Sequence, residues 1–394
     1  MPVTIGRCAD LVKTNAVHLA HAPGARGARK GARRTRTPVH GPGVGAPRTE
    51  PPDGRPPLRG ECGPSSPSRV YPRVTIADIL SKELRGTLPR KPSSPPRTSR
   101  SRTVAESAEK AESTEKAENV QTVSFPVDTP SGRRRAEVAY RRTGAGEPLV
   151  LLHGIGHHLQ GWDPVLEILA AEHEVIALDL PGFGRSPALP AGHPYDLPST
   201  VSALRACFEA LELDRPHIAG NSLGGLLALQ LGQDKLARTV TALSPAGFWT
   251  EAERRWAFGV LRGMRATARR LPPERMARLA ATAAGRTAMG CWVYARPARR
   301  APESLVAETM ALREATGFEA TLAAGRSVLF THEVAGLPVT IAWGDRDRLL
   351  LPRQGVRAKK VVPGARLVRL PGCGHIPMSD DPALVARVIL DTAR

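Results

Sequence analysis

No apolar run in this 394-residue sequence approaches the roughly 20 residues that a membrane-crossing helix requires. The first residues also lack the roughly 7–15-residue apolar stretch of a secretory signal. Cysteine is scarce and scattered: Cys8, Cys62, Cys207, Cys291 and Cys373 form no CxxC pair and no regular framework. An odd, dispersed set suits a reducing compartment, so the cytoplasm is the expected location. Aromatic residues make up only 4% of the chain. Nowhere do they interleave with a basic patch, and there is no basic zipper or zinc finger, so no specific nucleic-acid partner is expected. HExxH is missing as well, which leaves His153, His157 and His158 without a metal-binding pattern. The Gly-rich HGIGHH is not followed by Lys-Ser/Thr, so it is no phosphate-binding loop. Neither metal nor cofactor is expected.

What the chain does have in excess is positive charge, a formal +19. Its location decides its meaning. Residues 1–103 hold 20 Lys/Arg against 6 Asp/Glu, and residues 104–119 hold 2 Lys against 5 Glu, so the other 275 residues carry only +8. The basic segment is built from Arg, Pro, Gly, Ser and Ala, in strings such as GARGARKGARRTRT and KPSSPPRTSRSR. Proline removes backbone donors and like charges repel, so residues 1–119 are expected to be a solvated, disordered tail.

From residue 120 onward, apolar runs alternate with turn signals. TVSFPVD and RRAEVAYRRTG read as two short strands, the second placing Ala136, Val138 and Tyr140 on one face. PLVLLHG, EVIALDLPG, RPHIAGNS, TVTALSPAG, LPVTIAWGD and ARLVRLPG have the continuous apolar character of strands buried on both faces. Helical spacing lies between them, around 162–171, 199–211 and 223–233, in PRQGVRAKK, and in the terminal DPALVARVILDTA. Such alternation predicts an α/β domain with a mostly parallel sheet flanked by helices. Residues 249–335 break the rhythm: they are Ala- and Arg-rich, helical in spacing, and contain no clear strand. The expected organisation is therefore a core of 120–248 and 336–394 interrupted by a helical cap, 249–335. The 14 Arg and 8 Asp/Glu of that block are expected on solvated helix faces.

In open α/β sheets the ligand crevice lies beyond the carboxyl ends of the strands. Those ends deliver His153-Gly154, Asp179, Ser222, Asp345, Asp347 and His375. The sharpest signal is Gly220-Asn221-Ser222-Leu223-Gly224, a GxSxG between a strand and a helix, the context that gives the motif meaning. A nucleophilic serine must stand on a tight turn, and glycine two positions before and after it removes side chains that would collide there. The helix opening at Leu223 points its positive end at the site, which favours a developing oxyanion. A hydroxyl is a weak nucleophile without an adjacent base, and His375, in GCGHIP, suits that task. Asp345 and Asp347, in WGDRDRLLLP, are the candidate acids that would fix the histidine's tautomer. The DLPGFGRSP turn at Asp179, Trp162, Trp249 and Cys373 read as structural or packing features.

LLHGIG, DLPGFGRSP, GNSLGG, GDRDRLLLP and GCGHIPMSDDP, in that order over residues 121–394, resemble the successive motifs of the α/β-hydrolase superfamily. The resemblance implies an α/β-hydrolase fold and a Ser–acid–His triad in that chain order. It selects Asp347 as the acid, with Ser222 as nucleophile and His375 as base. It also implies an oxyanion hole from the backbone amides of Leu223 and, in the HGxG turn, Ile155. The expected activity is hydrolysis of a carboxylic ester or similar small acyl substrate through an acyl-serine. GNSLGG also resembles the meta-cleavage-product hydrolases, which makes carbon–carbon bond hydrolysis an alternative. Acyl transfer or perhydrolase chemistry is a further one, and a catalytically dead binding module is the non-enzyme reading. A serine at 222 argues against epoxide hydrolases and haloalkane dehalogenases, whose relatives place a carboxylate there. Neither substrate nor oligomeric state is written in these motifs.

Overall fold

The computed structural model describes residues 119–394, so the expectation of a disordered basic tail falls outside the described residues. The chain opens with a hairpin, β1 (Gln121–Thr129) and β2 (Gly132–Thr143). β3 (Pro148–Leu152) then enters the centre of the sheet. A 3-10 turn leads into α1 (Asp163–Ala170), followed by β4 (Glu174–Leu178), α2 (Leu197–Ala210), β5 (His217–Asn221), α3 (Leu223–Gln233) and β6 (Val240–Leu243). A run of helices comes next: α4 (Glu251–Arg270), α5 (Pro273–Ala280), α6 (Ala283–Gly290), α7 (Pro302–Glu314) and α8 (Phe318–Ala324). The chain closes with β7 (Val339–Gly344), α9 (Arg353–Val361), β8 (Arg366–Leu370), the short α10 (Pro377–Asp380) and α11 (Pro382–Ala393).

The described strands form one sheet in the order β1-β2-β4-β3-β5-β6-β7-β8. β2 runs antiparallel to both β1 and β4, and every later pairing is parallel. β3, β5, β6 and β7 are central, and nearly every side chain on them is buried. That explains their largely apolar, non-alternating composition: a strand covered on both faces has no use for alternation. α1 packs on α11, and α2 packs on α3 and β1, so the sheet is sandwiched by helices. The order reverses at β3, whose neighbours are β4 and β5. Crossovers leaving in opposite directions open a crevice at the carboxyl ends of those strands.

The helices between β6 and β7 span most of the 249–335 block, and no strand interrupts them. They bury apolar side chains such as Phe258, Leu261, Leu305 and Phe318, and caps and ion pairs add to that packing. Thr250 and Glu253 form a reciprocal capping box at the start of α4: Thr250 Oγ1 accepts from Glu253 N–H, and Glu253 Oε2 accepts from Thr250 N–H at 2.8 Å. The same buried carboxylate pairs with Arg353 and Arg357 of α9, tying the block to the sheet region. The block also touches the loops after β3 and β4. A Cβ on Gly156 would come within 2.4 Å of Leu312 Cδ1, and Gly317 N–H donates to Gly182 O at 2.9 Å.

Candidate active site

Ser222 occupies the turn between β5 and α3 with φ 57° and ψ −111°, a strained conformation for a residue with a side chain. The glycines beside it show why the turn tolerates nothing larger. A Cβ on Gly220 would lie 2.0 Å from Gly224 O, and one on Gly224 would lie 2.0 Å from Leu152 O. The helix is thus pressed against two strands, and its first turn carries no acidic residue to offset its positive end. Ser222 itself is held at both ends of its backbone. Its N–H donates to Leu243 O at 2.9 Å, and its carbonyl accepts from Leu226 and Ala246 N–H.

His375 sits in the loop between β8 and α10, and its Nδ1–H donates to Asp347 Oδ2 at 2.8 Å. Asp347 is buried in the loop after β7, and its other oxygen accepts from Leu349 and Leu350 N–H at 2.9 and 2.8 Å. These bonds fix the carboxylate, and through it the imidazole. The second candidate acid is engaged elsewhere: Asp345 accepts from Gly372 N–H at 2.7 Å and pairs with Arg369 at 3.1 Å. Of the two aspartates, therefore, only Asp347 holds the histidine. Ser222 and His375 line one cavity.

The turn after β3 lies against the serine, close enough that a Cβ on Gly154 would stand 3.2 Å from Ser222 Cβ. The amides of Ile155, in that turn, and of Leu223, at the start of α3, donate to no acceptor among the described residues. Ile155 borders both cavities that meet at Ser222, and Leu223 borders the first. His153 is built into this frame: Nδ1–H donates to Gly154 O at 2.7 Å, and Nε2 accepts from Leu180 N–H at 2.9 Å. Burial holds it neutral, with its pKa lowered to about 3. Asp179 accepts from Leu159 and Arg185 N–H at 2.6 and 2.8 Å, and burial raises its pKa to about 6. These polar groups bond to backbone and shape the turns beside the serine.

Some positioning residues escape a reading of the sequence. Asn221 Nδ2 donates to both Leu243 O and His375 O, at 3.1 and 2.9 Å, stapling the histidine loop to the strand that ends at the serine. Asp380 accepts from Gly374, Ala295 and Arg296 N–H, joining the same loop to the helical block. His375 and Ile376 N–H both donate to Val293 O. The signal for Asn221 was its place inside GxSxG. Asp380 lies six residues from Gly374, but its link to the helical block leaves no local signal, because Ala295 is 85 residues away.

Two cavities converge on Ser222. The first is walled almost wholly by apolar groups, among them Leu180, Phe183, Leu226, Trp249, Phe258 and Leu322. The second contains His375 and is bordered by His157, Tyr294 and Glu308. Ser222, Ile155, Leu261 and Leu349 border both.

The family model for the alpha/beta hydrolase fold matches residues 147–382, and the chain belongs to that family. An uncharacterized protein of Mycobacterium tuberculosis is 30% identical over 268 residues, covering 65% of this chain and 76% of that one. A shorter stretch of 89 residues is 43% identical to 2-hydroxy-6-oxo-2,4-heptadienoate hydrolase of Pseudomonas putida, covering 22% of this chain and 32% of that enzyme. Among solved structures, a thermophilic esterase from Thermogutta terrifontis aligns with a TM-score of 0.56 at 21% identity, over 69% of this chain and 97% of that one. At that identity the likeness speaks for the fold alone.

Proposed function

We propose that this chain is a hydrolase that cleaves a carboxylic ester or similar small acyl substrate through Ser222, His375 and Asp347. The observation that carries the proposal is the hydrogen-bonded Asp347–His375 pair, opening on the same cavity as a serine held at positive φ. Because Nδ1 of His375 donates to Asp347, Nε2 is left with a lone pair to take the serine proton. Ser222 Oγ then attacks the ester carbonyl, and the oxyanion forms beside the free amides of Leu223 and Ile155 at the positive end of α3. His375 returns its proton to the departing alcohol oxygen, leaving an acyl-serine. A water activated by the same histidine releases the acid.

The helical block, 249–335, acts in this reading as the cap that sets substrate choice, since its side chains form much of both cavity walls. Carbon–carbon bond hydrolysis is a second reading, favoured by the local 43% identity to the Pseudomonas putida hydrolase. A fluorophosphonate label separates a serine enzyme from a binding module. Turnover of p-nitrophenyl esters of graded chain length, measured beside a carbon–carbon-cleavage substrate, separates the two chemistries. Labelling of the wild-type chain that persists at full rate in Ser222→Ala would overturn the assignment.

A further inference from the structure

Resting on that reading, the two cavities divide the substrate. A general acid must reach the leaving oxygen, and His375 borders the second cavity but not the first. The alcohol limb of an ester therefore occupies the second cavity, and the acyl limb lies in the apolar first one.

Four polar side chains that border the second cavity, His157, Tyr294, Glu308 and Thr309, share one property: what each has left to offer is a lone pair. His157 Nδ1 lies 3.2 Å from His158 O, and since a carbonyl can only accept, Nδ1 carries the proton. Burial keeps the ring neutral, lowering its pKa to about 4. Nε2 is then an acceptor. It is enclosed, and it has no hydrogen-bond partner among the described residues. Tyr294 spends its hydroxyl proton on Glu308 Oε2 at 2.5 Å. Glu308 Oε1 takes Arg300, whose guanidinium also lies over the Tyr294 ring, 4.8 Å from its centroid. A carboxylate has only lone pairs to give. Thr309 donates its hydroxyl proton to Leu305 O at 2.7 Å. A buried acceptor left unpaired is costly, and side chains with only lone pairs to give offer a ligand carboxylate no donor.

We infer that the second cavity selects an alcohol limb carrying a hydrogen-bond donor, a hydroxyl or amide N–H, which His157 Nε2 accepts. The substrate class is thus an ester of an apolar acid with a polyol-type or amide-bearing alcohol, not one whose alcohol limb ends in a carboxylate. His157 is a specificity-determining residue, with the Glu308 carboxylate as the adjoining acceptor.

The test compares kcat/KM for the hexanoate esters of butane-1,4-diol, of its mono-methyl ether and of butan-1-ol, along with the hexanoate ester of 4-hydroxybutanoate. The first three leaving groups share the carbon chain at the reacting oxygen, so their ratios report the distal group. The diol ester should exceed the methyl ether and the carboxylate-bearing ester by about tenfold or more. His157→Leu should bring the diol-to-ether ratio close to one, and His157→Gln, which keeps an acceptor oxygen, should restore part of it. Equal rates on the diol ester and its ether in the wild-type chain would overturn this inference while leaving the esterase reading intact, as would an undiminished ratio in a folded His157→Leu. Failure to hydrolyse any of the four esters, or p-nitrophenyl acetate, would overturn the esterase reading and this inference together.

Discussion

The sheet and the helical block between β6 and β7 hold the same cavities by opposite means. At the sheet ends, position is set largely by backbone: glycines too tightly packed for a Cβ, and a serine at positive φ whose N–H and carbonyl are both held by other backbone groups. In the block it is set by side chains: a capping box, the Glu253 pairs with Arg353 and Arg357, and the Tyr294–Glu308–Arg300 cluster. Backbone frames resist substitution, whereas side-chain frames can be rebuilt one residue at a time. On the proposed reading, the chemistry belongs to the half that resists change, and substrate choice to the half that can be rebuilt.

Breaking the sheet half should produce the largest effects. Ser222→Ala should leave the chain folded, abolish fluorophosphonate labelling and lower kcat by about 10⁶-fold, as when a triad serine is removed elsewhere. Asp347→Asn should lower kcat by about 10⁴-fold, because the amide can no longer hold the required tautomer of His375. Asp345→Asn, which touches only Gly372 and Arg369, should cost less than about tenfold. Steady-state kinetics on one ester orders the three, and reversal of the two aspartates would move the acid to Asp345.

A smaller effect is expected from pH. The folded-state pKa of His153 is lowered to about 3, and those of His157 and His158 to about 4, in each case by burial first. Above about pH 6.5 all are neutral in both states and contribute nothing. As pH falls below 6.5 the unfolded chain binds protons that the folded chain refuses, so stability is lost progressively down to about pH 4. His157 alone accounts for a loss of ~3 kcal/mol over that window. Asp179 works in the opposite direction, since its raised value of about 6 makes folding easier as it protonates. Thermal unfolding between pH 7 and pH 4 should show a falling Tm, with a shallower fall in His157→Leu. A flat profile would mean that these rings are open to solvent.

The smallest effect tests the block. Thr250→Ala removes one half of the capping box and should cost about 1 kcal/mol, read as a drop in Tm, with kcat on a short ester little changed. A large loss of kcat would mean that α4 helps position the reacting groups, and the contrast between the two halves would fail.

Much of this arrangement is legible in the sequence, because the relevant forces are local. The apolar runs of β3 to β7 and the glycine spacing around Ser222 are consequences of burial and steric exclusion, which act over a few residues. The 3.6-residue spacing likewise marks the longer helices, although the four-residue α10 is too short to show a period. What the sequence withholds depends on pairs far apart in the chain. Composition leaves Asp345 and Asp347 alike, and only the family resemblance prefers Asp347; in the folded chain Asp347 meets His375 while Asp345 meets Gly372. The three histidines after β3 look like a cluster until each ring nitrogen is assigned. His153 then proves saturated by backbone, while His157 is left with one open position. Tyr294, Arg300 and Glu308 offer no pattern before folding, since their meaning lies in the cavity that Tyr294 and Glu308 border and in the pairing of Arg300 with Glu308.

The tight seating of Gly224 against Leu152 has a consequence for redesign. Position 222 projects from a turn whose geometry is imposed by its neighbours, so the reactive atom and its mounting are separable parts. The mount offers little freedom: a Cβ at either flanking glycine would stand 2.0 Å from a backbone oxygen, so the helix would have to shift from the strands and carry the side chain at 222 with it.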